Sequence, residues 1–424
     1  MGLNPGAEIE LLLEKPVSGG RMIARHEGEV VLVAGGIPGE RVLARVTRAE
    51  KRVAFADTTS VLLRSEHRQA TDDAACGGCL YSHIAYARQV QLKAEIIEDA
   101  FVRIGKIPLS ERVLVDSGPD RGYRMKARFH VRGGSAGFYR EATHDLCDPR
   151  HTGQLLTESI DAVEALVAAL DKSGVNATSL ELSESIRADR RAVHIDVTSV
   201  DDIEGRLGAA MSVAGFAGVT ARGVDGRRTS TGDPFVSDDL SILTDSRVSG
   251  AQLGRRPESF FQSNRFMIST LVSTVMDLIS AGRILDLYAG VGLFSVSLAA
   301  AERGDVTAVE GDPVSGSDLE RNAAPFADRL RVSRSSVEAF LMRRRAGPPD
   351  TVIVDPPRTG MSREATDAIA RSRAKRVVYV SCDAPTMARD ARRLLDGGYR
   401  LVSLRGIDLF PNTPHVETVG LFDL

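Results

Sequence analysis

Apolar positions change their spacing twice along the chain. Over residues 1–60 they come in short runs. Glu29–Ala34 and 41–46 alternate or run apolar, with Gly35-Gly36-Ile37-Pro38-Gly39 between them. Short strands punctuated by Gly and Pro predict a small β-barrel. Over 61–250 the pattern is mixed. Ile84, Val90, Ile96, Ile97 and Phe101 give helical spacing to 85–104, and 160–170 repeats that spacing. Residues 127–131 and 193–197 read as strands, so a central α+β segment is expected. Over 251–424, apolar runs suited to buried strands (283–288, 305–310, 351–355 and 377–381) alternate with helical stretches. That alternation predicts an α/β unit whose parallel sheet is covered on both faces. Ligands in such sheets bind beyond the carboxyl ends of the strands.

Charge and composition narrow the picture. The chain has 424 residues, 43% hydrophobic and 26% charged, enough for two or three domains with solvated surfaces. No apolar run of about 18 residues occurs, so no membrane span is expected. Residues 1–15 carry Glu8, Glu10 and Glu14, the wrong charge for a secretory leader. A cytoplasmic location is expected, with no membrane and no protein partner. Net charge is −3, so any nucleic-acid surface must be a local patch. Residues 41–52 (RVLARVTRAEKR) and 123–132 (YRMKARFHVR) qualify, although each alone reads as a solvated strand face.

Three motifs fall at predicted strand ends. In Leu285-Asp-Leu-Tyr288-Ala-Gly290-Val-Gly292-Leu-Phe294, Gly290 and Gly292 let backbone approach a ligand where a Cβ would collide. Glu310 ends the next strand, 20 residues past Gly290. A carboxylate there suits a pair of ribose hydroxyls. Asp355-Pro-Pro-Arg358 follows TVIV, and its prolines stiffen the loop. Cys382 follows VVYVS and precedes a helix start at Asp383-Ala-Pro-Thr-Met, where the helix dipole is expected to favour its thiolate. In Phe410-Pro-Asn-Thr-Pro-His415-Val-Glu417, both Glu417 and His415 are candidates for proton transfer.

Taken together these motifs resemble the RNA uracil-5 methyltransferase family. The resemblance runs over FFQSN (260–264), LDLYAGVGLFS, VE, DPPRTG, YVSCDAPTMARD and FPNTPHVETV, and extends to GYRMKARF and GFYREATHDL. GGIPGERV similarly resembles the TRAM domain, a small RNA-binding barrel. The resemblance implies a class I methyltransferase (Rossmann-like) catalytic domain over 251–424, a TRAM/OB-like barrel over 1–60 and a mixed central domain over 61–250. It implies S-adenosylmethionine held by Gln262, Tyr288, Glu310 and Asp355, Cys382 as nucleophile and Glu417 as proton acceptor. His415 then orients the loop. Phe260, Phe261 and Phe410 are candidates for a pocket around a flipped base. One departure is Leu293, where some members carry Asn. The RNA is ribosomal or transfer RNA, with ribosomal favoured by the TRAM-like barrel. Two alternatives remain at this stage: a methyltransferase for another acceptor, and a non-catalytic RNA-binding protein that retains the cofactor pocket.

The remaining cysteines are less regular. Four thiols in a chain this long do not suggest a disulfide framework. Cys76-Gly-Gly-Cys79 resembles the family's iron–sulfur motif, but Ala70 and Thr152 stand near two of its other cysteine positions, and Cys147 is five residues from the second. An intact four-thiolate cluster is therefore not expected, and no metal is assigned. Three readings of Cys76, Cys79 and Cys147 stay open: an iron site completed by Asp73, a zinc site with His83, or the remnant of a lost site.

Overall fold

The structure, a computed structural model, describes residues 3–71, 75–141 and 143–424. Strands Glu8–Leu12, Lys15–Pro16, Met22–His26, Glu29–Ala34, Arg41–Glu50 and Val53–Leu63 join in one six-stranded sheet. It curls round a core that includes Leu11, Val31, Val33, Val42 and Ala44. Strict alternation produces this. Ile9 and Leu11 point inward, while Glu8 and Glu10 point out and pair with Arg45 and Arg41 at 3.0 and 2.9 Å. Arg48 pairs with Glu50 and lies 4.0 Å over the Phe55 ring. The basic run 41–52 is thus partly neutralised by its own barrel.

The middle sheet has seven strands. Their order is Leu146–Cys147, Ser135–Tyr139, Lys126–Arg132, Ala177–Glu184, Arg191–Val197, Gly218–Gly223 and Arg228–Gly232. Helices Thr157–Lys172 and Glu204–Ala214 cover one face, burying Val163, Leu166, Leu170 and Leu207 against Phe129, Leu180 and Ile195. Residues one position out of step, such as Lys126, Arg128 and His130, point to the other face, as the period-2 geometry of a strand requires.

The third sheet has eight strands in the order Leu330–Arg334, Gly304–Glu310, Gly282–Leu287, Thr351–Val354, Arg376–Ser381, Glu417–Asp423, Arg400–Ile407 and Leu114–Asp116. All run parallel except Glu417–Asp423, which is antiparallel to both neighbours. The central strand Thr351–Val354 is buried at every position, as a strand covered on both sides should be. Helices Ile268–Asp277, Leu293–Ala300 and Pro313–Ala323 pack on one face. Val337–Arg343, Arg363–Ser372 and Ala384–Asp396 pack on the other. Residues 86–116, counted with the middle segment in the sequence, also belong here. Helix Tyr86–Asp99, continued by a π-helical turn Ala100–Ile104, buries Ile97 and Phe101 in this core, and Leu114–Asp116 is the edge strand.

Candidate active site

The strand Gly282–Leu287 turns sharply before its helix. Tyr288, Gly290 and Gly292 all have positive φ (63°, 56° and 98°). A Cβ on Gly292 would collide with Val296 and Leu319, whereas one on Gly290 would project into open space. The turn is therefore packed at Gly292 and open at Gly290. Glu310 spans its mouth: Oε2 accepts from Gly290 N and Oε1 from Asp312 N, both at 2.7 Å. Each oxygen keeps a lone pair for a further donor. Below the turn, Asp286 is fully buried, with Oδ2 accepting from Ser295 N at 3.0 Å and Oδ1 unpartnered. Burial and the nearby Glu310 charge push its carboxyl up to about 7, against the hydrogen bonds from Ser295. Asp286 was not singled out from the sequence. Its signal was an acid inside an otherwise apolar strand. A cradle open at Gly290, flanked by carboxylates, fits a nucleoside carrying a cationic centre. Gln262 is buried on the neighbouring 258–264 segment.

Strand pairing assembles the second half of the site. Ser381 lies opposite Thr418 in the antiparallel pair. The next residue on one strand is Cys382, and the preceding one on the other is Glu417. Cys382 and Glu417 therefore face each other at the sheet edge. Asp355 and Arg358, on the loop after Thr351–Val354, complete the group, with Arg358 donating toward the Cys382 sulfur. Glu417 is buried, and its Oε1 has no partner. Burial, then the Asp355 charge, holds its carboxyl well above the usual range, while Arg358 opposes the rise. Asp355 itself is pushed up to about 7 by burial and Asp286.

Two expectations need correction here. The Cys382 thiol is not lowered by the following helix. Burial, then the Glu417 carboxylate, pushes it up to about 12, and Arg358 only partly offsets this. Asp383 caps the helix instead, accepting from Thr386 N at 2.9 Å. Desolvation of a thiolate beside two carboxyl groups outweighs one helix terminus. Phe261, expected to line a base pocket, is a core residue beneath Arg255, whose guanidinium lies 3.9 Å from the ring centre. Phe260 is 64% exposed, and Phe410 does line the cleft. His415 lies in the same cleft, edge-on to Phe410. Burial and the Arg358 and Lys93 charges push it down to about 4, leaving it neutral near pH 7.

The cleft, of about 340 Å³, is closed on its far side by the middle domain. Gly77, Gly78, Arg128, His130 and Tyr139 form that wall. The cysteines lie behind it. Contrary to the expectation of no disulfide, Cys76 and Cys147 are bonded to each other, which ties the Cys76–Cys79 loop to the edge of the middle sheet. Strand pairing carries Cys147 to Phe138, and the bridge between Cys76 and Arg140 brings the loop to the same edge. Cys79 lies outside the disulfide, buried near Gln154 Nε2 at 4.0 Å. His83 does not turn to the thiols: its Nε2 contacts the Gly36 carbonyl at 3.2 Å. Asp73 lies outside the described residues. Among the described residues no group of three or more His, Cys, Asp or Glu side chains is arranged for a metal. Two sulfurs spent on each other do not fit a thiolate-ligated cluster or zinc.

The strand order, with its one antiparallel strand and a cradle at the first strand's end, defines a class I methyltransferase. Comparison with known proteins gives the narrower assignment. Residues 3–59 match the TRAM domain model, and residues 347–423 match the model for tRNA (Uracil-5-)-methyltransferase. An RNA methyltransferase of Streptomyces coelicolor is 30% identical over 99% of this chain and 93% of its own length. A 23S rRNA (uracil(1939)-C(5))-methyltransferase of Pseudomonas entomophila is 31% identical, covering 99% and 94%. The crystal structure of Pyrococcus abyssi tRNA (uracil-54, C5)-methyltransferase in complex with S-adenosyl-L-homocysteine superposes with a TM-score of 0.77. It covers 97% of this chain and 99% of that one at 23% identity, a likeness of fold. The chain belongs to the RNA uracil-5 methyltransferase family.

Proposed function

We propose that this protein methylates carbon 5 of a uridine in ribosomal RNA, with S-adenosylmethionine as donor. The observation that carries the chemistry is the facing pair Cys382 and Glu417 beside the Gly290 cradle. Ribosomal RNA is favoured over transfer RNA because relatives alike over nearly the full chain, from Pseudomonas entomophila and Bordetella avium, are 23S rRNA enzymes. No described helix is long and apolar enough to cross a membrane. We place the protein in the cytoplasm, where its RNA is made.

Carbon 5 of uracil is a weak nucleophile, and the residues answer that problem in order. Gln262, Tyr288, Glu310 and Asp355 would hold the donor. When bound, S-adenosylmethionine supplies an electrophilic methyl group. The Cys382 sulfur bonds to carbon 6 of the flipped base, and its proton leaves to Asp355, the carboxylate beside the thiol other than Glu417. Arg358 stabilises the sulfur as it becomes anionic, offsetting the burial that keeps the resting thiol protonated. The addition makes the ring an enolate, so carbon 5 takes the methyl group. Glu417, ionised at that stage, removes the carbon 5 proton, the enolate re-forms, and the carbon 6–sulfur bond breaks. A buried carboxylate with a raised pKa is a stronger base than a solvated one. His415, neutral and edge-on to Phe410, orients the loop.

Covalent trapping tests the reading. RNA containing 5-fluorouridine, with S-adenosylmethionine, should leave a denaturation-resistant RNA–protein adduct, because fluorine at carbon 5 cannot leave as a proton. The adduct should vanish in Cys382→Ala, and sequencing its RNA would locate the uridine. Cofactor binding without any adduct on total cellular RNA would instead favour another acceptor or a non-catalytic RNA-binding role.

A further inference from the structure

The loop between Ile407 and Glu417 carries Phe410 and His415 into the cleft, and its two ends pair with each other across the last strands. The loop makes hydrogen bonds of its own, from Phe410 N to Asp408 Oδ1 at 3.0 Å and from His415 N to Thr413 Oγ1 at 3.2 Å. Side chains from helix Tyr86–Asp99 add anchors from outside. Lys93, fully buried on helix Tyr86–Asp99, donates to Asp408 Oδ1 at 2.6 Å and to the Phe410 carbonyl at 2.9 Å. One turn earlier, Gln89 accepts from Asn412 N and donates to Asn412 Oδ1, both at 2.9 Å. Asn412 has φ 63°, a backbone state that needs holding. The i, i+4 spacing puts Gln89 and Lys93 on one helix face, aimed at one loop.

A buried ion pair adds little net stability over apolar residues of the same volume. The consequence of Lys93–Asp408 is therefore geometric. We infer that Lys93 and Gln89 are positioning residues that hold the 408–416 loop so that Glu417 meets the base bound to Cys382. The inference rests on the mechanism proposed above. It places a control point for the last chemical step on a helix far away in sequence.

The test compares wild type, Lys93→Met and the double variant Lys93→Met/Asp408→Leu in thermal unfolding, steady-state kinetics and adduct trapping. Lys93→Met strands the Asp408 charge and should melt early, and the double variant should recover most of the melting temperature. Both should keep donor affinity within about twofold and lose about 10²-fold in kcat, the scale expected of a misplaced reacting group. On unmodified uridine, both should accumulate covalent adduct, because proton removal has slowed but thiol addition has not. A double variant with restored melting and wild-type kcat would overturn the inference, and so would equal loss of adduct and turnover. Should the double variant not refold, Gln89→Met decides. It leaves the ion pair intact, and wild-type kcat from it overturns the proposal. A wild-type enzyme that forms no 5-fluorouridine adduct would remove the underlying mechanism and this inference with it.

Discussion

The catalytic sheet and the middle sheet use their strands in opposite ways. In the catalytic sheet both faces are covered by helices, and polar chemistry is confined to the carboxyl edge, where Asp286, Glu310, Asp355, Cys382 and Glu417 gather. In the middle sheet the helices lie on one face and the other displays Lys126, Arg128, His130, Asp196 and Arg222. The charges there are largely matched. Lys126 meets Glu181 at 2.9 Å, and Arg128 and Arg222 share Asp196 at 3.4 and 2.8 Å. His130 stacks on Tyr139 with centroids 3.6 Å apart, next to the cleft. A site at strand ends is written as contiguous strand-turn motifs. A site on a sheet face is written one residue in two, across strands distant in sequence.

Three measurements would break or sharpen that contrast. The largest effect should come at the catalytic edge. Glu417→Gln is expected to lower turnover about 10²- to 10⁴-fold while trapped adduct rises, the signature of a missing base. Near-normal turnover would mean that facing strands do not assign the base.

Next is Asp286, whose folded pKa of about 7 lies above the ordinary carboxyl value. The stability it contributes is present below about pH 4 and is lost as pH rises through about 7. Asp286→Asn should therefore stabilise the apo-protein at pH 8, by up to about 4 kcal/mol, with the gain fading at pH 5. A gain independent of pH in thermal unfolding would show that the carboxyl is not titrating.

The middle domain should show a smaller and different response. Cys147→Ser or a dithiol reductant opens a link between residues 71 apart, costing about 3 kcal/mol of stability. The Michaelis constant for RNA should rise, since Gly77 and Gly78 line the cleft, while donor affinity stays unchanged. Equal changes in both constants would show that the two sheets are coupled more tightly than their separate cores imply.

Much of the catalytic sheet was legible because its constraints are local. A fully buried parallel strand must be an apolar run, its turn must admit positive φ at Gly290 and Gly292, and its helix must be capped, as Asp383 is. Those demands fall on consecutive residues, so the strands and the edge motifs could be read directly. The antiparallel turn of Glu417–Asp423 and the incorporation of Leu114–Asp116 were not readable, since pairing partners lie far apart in sequence.

The sequence by itself determined which groups are available to the site: the thiol, the carboxylates, the glycine turn and the aromatic loop. Only the tertiary structure decided their protonation and their company. Burial beside Glu417, not the following helix, sets the Cys382 thiol. The edges of the middle sheet bring Cys76 to Cys147, and a helix more than 300 residues upstream places Lys93 on the catalytic loop. Desolvation, charge proximity and long-range pairing depend on distances in space, which the order of residues along the chain does not express.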